Sequence, residues 1–328
     1  MSRTTLDGLR TQLDQADNLP SPPDVALELA RLADDPNARA DDLGRLLRTD
    51  PGLTARLLRA VNAPANGLPR SIDSIERACA LLGFDRAKTL ALGYSMAESL
   101  PVVGPDSNFD LEGYWLRSGL TAAATEHFAE QLSPDHADAG FVVGLLSEMG
   151  RLVLAGCMTT IYQGVLATDP WPSVATERSM LGFSNIDVSS LLFERWHLPD
   201  EISMPIAYRD APHELPEGSS TDVIRLCRFL ASAQVLADAW VSGGTTTQLD
   251  YAAGAANHYL GMSTDQFAAV VDALAADVES HRIFSNAAPP AEVNRQRVED
   301  RARDQLREAV SKSATSSRLT TLLRNAQA

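Results

Sequence analysis

An all-α fold follows from three features of these 328 residues. Apolar residues recur at three- and four-residue spacings along most of the chain. Strand-like alternation is almost absent, and residues that start or stop helices punctuate the periodic runs. A hydrophobic content of 45% supplies enough apolar surface for buried cores, in a chain long enough for two domains or one large one.

The elements can be taken in order. In "PDVALELARLA" Val25, Leu29 and Leu32 share one face, and "LGRLLR" and "LTARLLRAVN" repeat that period. Asp50 before Pro51 predicts an N-cap followed by a proline whose missing N–H costs nothing in a first turn. Asp73 with Glu76 predicts a capping box, and Gly83 a stop after "CALL". The proline- and glycine-broken stretch "LPVVGPDSNFD", residues 100–110, predicts a boundary between an N-terminal helical subdomain (1–105) and a second one (106–285). In the second, "GFVVGLLSEMGRLVL" is apolar with helical period, halts at Ser147 and Glu148, and resumes. Ser263 with Gln266 opens another amphipathic helix, "DQFAAVVDALAADV".

After the linker "NAAPPAE" the composition changes. Residues 291–328 carry eight basic side chains against five acidic ones, with a thin apolar stripe of Val298, Ala302, Leu306 and Val310. Residues 286–328 therefore read as a linker and an amphipathic helical tail, expected to dock on the acidic body in cis, with recruitment of a partner as the alternative.

A net charge of −15 and a pI near 4.8 repel nucleic-acid phosphates and anionic lipid headgroups, so neither is expected as a partner. With no apolar run reading as the roughly 18 residues that cross a bilayer, and no export signal, a cytoplasmic location is expected. Cys79, Cys157 and Cys227 lack the paired spacings of zinc or redox sites and are expected as buried thiols. The six histidines share no helical-turn spacing, which points to surface or interface roles. Trp115, Trp171, Trp196 and Trp240 are expected in the core. "GYSMA" at 93–97 resembles a nucleophile elbow, yet it sits inside a helical pattern rather than at a strand-to-helix turn.

The run from "LPSPPDVALELARLADDPNARADD" through "LTARLLRAVNAPANGLPRSIDSIERACALLGFDRAKTLAL", continued by "YWLRSGLTAAATEHFAEQL", "FVVGLLSEMGRLVL" and "SMLGFSNIDVSSLLFERWHLPDEISMPIAY", resembles the HD-related output domain, or HDOD, family over residues 18–215. The resemblance implies a helical N-terminal bundle joined to a half like the HD phosphohydrolase fold, in bacterial signalling proteins that have lost the hydrolase chemistry. Where HD hydrolases hold metal ligands, it aligns Arg117, Ser147, Glu148, Asn185, Arg209 and Asp210. For the final aspartate the register leaves Asp238 or Ser232.

An HD site needs imidazoles and carboxylates around a metal that acidifies bound water. None of these positions is histidine, and guanidiniums offer a metal no lone pair and repel it. The expectation is a site without metal or cofactor in which Glu148 pairs with Arg117 or Arg209, serving either as refitted packing or as an anion or nucleotide pocket. The implied function is a non-catalytic signalling module that meets a regulatory protein, in a cyclic-dinucleotide or two-component setting. The alternative is a divergent phosphohydrolase built on Glu148, Asp210 and Asp238.

Overall fold

The computed structural model describes residues 8–11, 13, 24–34, 38–62, 72–98, 103–104, 107–279, 297–298 and 300–305. Among the described residues fifteen α-helices occur in order: α1 (Asp24–Asp34), α2 (Ala40–Leu47), α3 (Pro51–Val61), α4 (Ile75–Leu82), α5 (Phe84–Glu98), α6 (Leu111–Leu132), α7 (Ala137–Leu146), α8 (Met149–Cys157), α9 (Thr159–Leu166), α10 (Val174–Leu181), α11 (Asn185–Arg195), α12 (Asp200–Ala207), α13 (Thr221–Val241), α14 (Thr246–Leu260) and α15 (Thr264–Glu279). Residues 8–11, 13, 297–298 and 300–305 are also helical, and no strand occurs among the described residues.

Local chemistry sets the helix ends. The Asp50 carboxylate accepts from Leu53 N at 3.0 Å and opens α3 as expected. Ser263 N donates to Gln266 Oε1 at 3.0 Å and Gln266 N to Ser263 Oγ at 3.3 Å, a capping box, also as expected. The box expected at Asp73 is displaced by one residue. Ser74 caps α4, its hydroxyl bonding the Glu76 side chain and accepting from Arg77 N, while Asp73 makes an exposed ion pair to Arg77. Gly83 ends α4 at φ +83°.

Helices α6 and α7 form the centre. Buried residues occur on nearly every side of α6, including Tyr114, Leu116, Leu120, Ala124 and Phe128, because α7, α13 and α15 all pack against it. The N-terminal half joins through α5, which lies on α7. At their crossing a Cβ on Gly93 would lie 2.6 Å from a Val142 methyl carbon, so the glycine of "GYSMA" serves helix approach inside a helix and no nucleophile elbow exists there. One buried apolar cluster runs from Leu9 to Ala302.

Three further expectations from the sequence differ from the structure. Pro134–Cys157 is long and apolar enough, by composition, to cross a bilayer, although 89% of its most apolar window is buried inside the protein. Trp171 is half-buried in the loop before α10, whereas Trp115, Trp196 and Trp240 are core residues. Cys157 is only partly buried, unlike Cys79 and Cys227. Residues 100–102 and 105–106 of the expected boundary, the linker at 286–292, His281 and the tail beyond 305 lie outside the described residues.

Candidate functional site

The halt at Ser147–Glu148 is a turn between α7 and α8. It is held by Ser147 Oγ donating to Gly144 O at 2.8 Å and by Arg151 N donating to Glu148 O at 3.0 Å. Breaking the helical ladder here leaves the Ser147 carbonyl free, and Arg209 Nη1 donates to it. The helices then bring side chains to one place. Arg117 comes from α6, Arg151 from α8, Glu177 from α10, Asn185 from the first turn of α11, and Gln234 and Asp238 from α13. Arg209 and Asp210 lie in the turn just after α12, a helix that contains Pro205 and ends at Ala207.

Glu148 is the hub. Its Oε2 accepts from Arg151 Nε at 2.6 Å, and its Oε1 accepts from Arg209 Nη2 at 3.3 Å and Gln234 Nε2 at 3.0 Å. Burial alone would push this carboxyl's pKa up. The charges of Arg209 and Arg151 outweigh that and hold it down at about 2. Arg209, with 1% of its side chain exposed, also donates from Nη2 to Asn185 Oδ1 at 2.6 Å, and its Nε lies 3.9 Å from Asp210 without a hydrogen bond.

Behind this pair stands a fully buried carboxylate. Glu177 Oε1 accepts from Arg151 Nη1 and Tyr162 Oη, both at 2.8 Å, and its Oε2 accepts from the Asn185 backbone N and Nδ2, both at 2.7 Å. The Asn185 amide is one of the N–H groups that a helix start leaves without an intrahelical partner, so Glu177 satisfies the first turn of α11 and the Arg151 charge together. Close approach makes this possible. Gly150 N donates to Ser189 Oγ at 2.8 Å, and any Cβ on Gly150 would overlap the Asn185 carbonyl.

In front of Glu148 opens a cavity of about 420 Å³, lined by Arg117, Glu148, Arg151, Arg209, Asp210 and Asp238 among others. Trp171 forms part of its wall, with the Arg117 and Arg151 guanidinium carbons 4.4 and 4.7 Å from its ring centroid. Arg117 donates to Asp238.

Of the positions aligned from sequence, five line the cavity and two, Ser147 and Asn185, are buried against Arg209. Asp238 faces the cavity, whereas Ser232 is buried and bonds Arg228 O at 3.0 Å. The pairing of Glu148 with Arg209 is present, but its shortest ion pair is to Arg151, and Arg117 goes to Asp238 instead. Arg151, Glu177 and Trp171 were not anticipated. The Glu148–Arg151 spacing of three along a helix start could have signalled the first, while nothing local marks Glu177 as buried. Among the described residues no group of three acidic, histidine or cysteine side chains is placed to hold a metal ion.

A family model, the HDOD domain, matches residues 19–212, more than half of the chain. The chain belongs to the HDOD family. Solved structures similar to this HDOD chain include an HDOD domain protein of Geobacter sulfurreducens, at 22% identity and a TM-score of 0.66, covering 86% of this chain and 97% of that one. A Shewanella amazonensis protein provisionally described as a phosphohydrolase aligns at 20% identity and a TM-score of 0.64, over 91% and 98% of the two chains. These likenesses establish the helical HDOD architecture. No curated protein matches the sequence.

Proposed function

We propose that this HDOD protein is a non-catalytic regulatory module of a cytoplasmic signalling pathway, acting through a regulatory protein partner and responsive to what enters its polar cavity. The observation that carries the reading is the seat of Arg209. Its guanidinium reaches Ser147 O, Glu148 Oε1 and Asn185 Oδ1, three of the positions where the family resemblance expects metal ligands to converge. A buried, permanently charged cation in the middle of that set competes electrostatically with any divalent metal. It also occupies one carboxylate oxygen of Glu148, and Arg151 holds the other.

The test is calorimetric titration of the full chain with Mg²⁺ and Mn²⁺, beside turnover assays on cyclic dinucleotides and nucleotide phosphates. The expected result is no stoichiometric metal binding and no turnover. One metal per chain together with turnover, both lost in Glu148→Gln, would overturn the proposal in favour of a divergent phosphohydrolase.

A further inference from the structure

The three guanidiniums of the cavity are not equivalent. Arg151 and Arg209 are almost wholly buried and tied to Glu148 and Glu177. Arg117 is different: its carboxylate partner, Asp238, has 62% of its side chain exposed. Arg117 itself is 17% exposed, but with its partner open to water the pair is the least enclosed of the three, and another anion can compete for the guanidinium.

Arg117 and Trp171 also have a second side. Beyond them lies a smaller cavity of about 160 Å³, closed by Arg301 and Gln305 of the C-terminal segment. That segment is firmly seated. Val298 and Ala302 are buried in the core, Arg297 pairs with Glu112 at 3.2 Å, Arg301 pairs with Asp110 at 2.8 Å, and Gln305 donates to Val241 O at 3.2 Å. Asp110 is the N-cap of α6, the helix that carries Arg117. The Arg117–Trp171 stack is thus a partition, with the central cavity on one face and the docked segment behind the other.

We propose that the central cavity receives a small oxyanion, phosphate or carboxylate in kind, on Arg117 in exchange for Asp238, and that the docked C-terminal segment buttresses that site, so that occupancy and docking reinforce each other. This rests on the reading of the cavity as a sensing rather than a catalytic site. A volume of about 420 Å³ suits a small ligand. The planar guanidinium fork, oriented by its stack on Trp171, suits two oxygens of one anion. Coupling must be reciprocal: if docking strengthens binding, binding must strengthen docking by the same factor.

The experiment titrates inorganic pyrophosphate and, separately, malonate into the full-length protein at matched ionic strength, with calorimetry for binding and hydrogen exchange for residues 297–305. The expected result is saturable binding of at least one probe, weakened about tenfold or more by Arg117→Gln. Asp238→Asn, which removes the competing carboxylate, should tighten it by up to about fivefold. Saturation should slow exchange in 297–305, and deletion of residues 291–328 should weaken binding. Four results would overturn the proposal: neither probe binding beyond the effect of sodium chloride, affinity indifferent to Arg117→Gln, weaker binding in Asp238→Asn, or exchange in 297–305 unmoved at saturation. Asp238→Asn keeps the test decisive if Arg117→Gln fails to fold. Pyrophosphate bound at Arg117 and hydrolysed would sink the non-catalytic reading while leaving the site; no binding and no turnover would do the reverse.

Discussion

Replacing Glu148 by Gln removes one charge from between two buried guanidiniums while keeping the shape of the side chain. Arg151 retains Glu177 at 2.8 Å, but Arg209 is left with the neutral acceptors Ser147 O and Asn185 Oδ1 and with Asp210 at 3.9 Å. The magnitude can be worked from the carboxyl itself. A fall from its ordinary value of 4.5 to about 2, at about 1.4 kcal/mol per unit, corresponds to about 3 kcal/mol of stability at neutral pH. Breaking a buried ion pair typically costs about 3–5 kcal/mol, which agrees. With an unfolding entropy of about 2.1 cal/mol/K per residue over 328 residues, the melting temperature should drop by roughly 4 °C. The pH dependence has a fixed sign. Because the folded pKa is depressed, the contribution is fully present above pH 4.5 and disappears as pH falls toward 2. Urea unfolding of wild type and Glu148→Gln at several pH values between 3 and 7 therefore should show a gap that narrows on acidification. A gap that is absent at pH 7, or that stays constant down to pH 3, would refute the account.

Gly150→Ala should destabilise the fold by about 1–3 kcal/mol, read by urea unfolding, because the new methyl group must push α8 away from the start of α11; a neutral result would show that the two helices separate freely. His127 sits between Glu130 at 2.8 Å on its own helix and Asp277 at 2.9 Å on α15. Burial would lower its pKa, but those two carboxylates raise it to about 10. Its stabilising contribution should be complete below pH 6.5 and fade as pH rises toward 10, so the difference between wild type and His127→Gln should shrink over that interval; a ring titration near 6.5 by NMR would contradict this. Deleting residues 291–328 uncovers the seat of Val298 and Ala302, and should lower the melting temperature modestly and raise the mass seen by light scattering. Unchanged stability and mass would mean that the segment does not dock in solution.

The helical architecture was legible because periodicity and capping are local. Asp50 and Ser263 cap helices where their own sequences say they should. At Asp73 two capping residues stand side by side, and only tertiary geometry chose Ser74. The cavity was partly legible, since the family resemblance aligned the positions of Arg117, Glu148, Arg209 and Asp210 that line it and left Asp238 or Ser232 for the last, of which Asp238 faces the cavity. What was hidden is the identity of the partners. Glu177 reaches Arg151 from 26 residues away and from a different helix, a relation with no local pattern to announce it. Trp171 follows the same logic. An aromatic ring among apolar neighbours signals a core residue, and only a fold that brings two arginines beside it makes it a wall of a polar cavity.

The interlocked charges around the Ser147–Glu148 turn also constrain how the chain can change. Arg209→His, the simplest step toward a metal ligand, trades a permanent charge for one that comes and goes near neutral pH, and it surrenders the reach to the Ser147 carbonyl and Asn185. Altering Glu148 first strands Arg209, and altering Glu177 first strands the opening amide of α11 and leaves Arg151 with Glu148 as its one carboxylate partner among the described residues. Each single step begins with a loss that the next substitution recovers only if it comes at the same time. The arrangement behaves as a ratchet, in which any rebuilding of this turn one residue at a time passes through less stable intermediates.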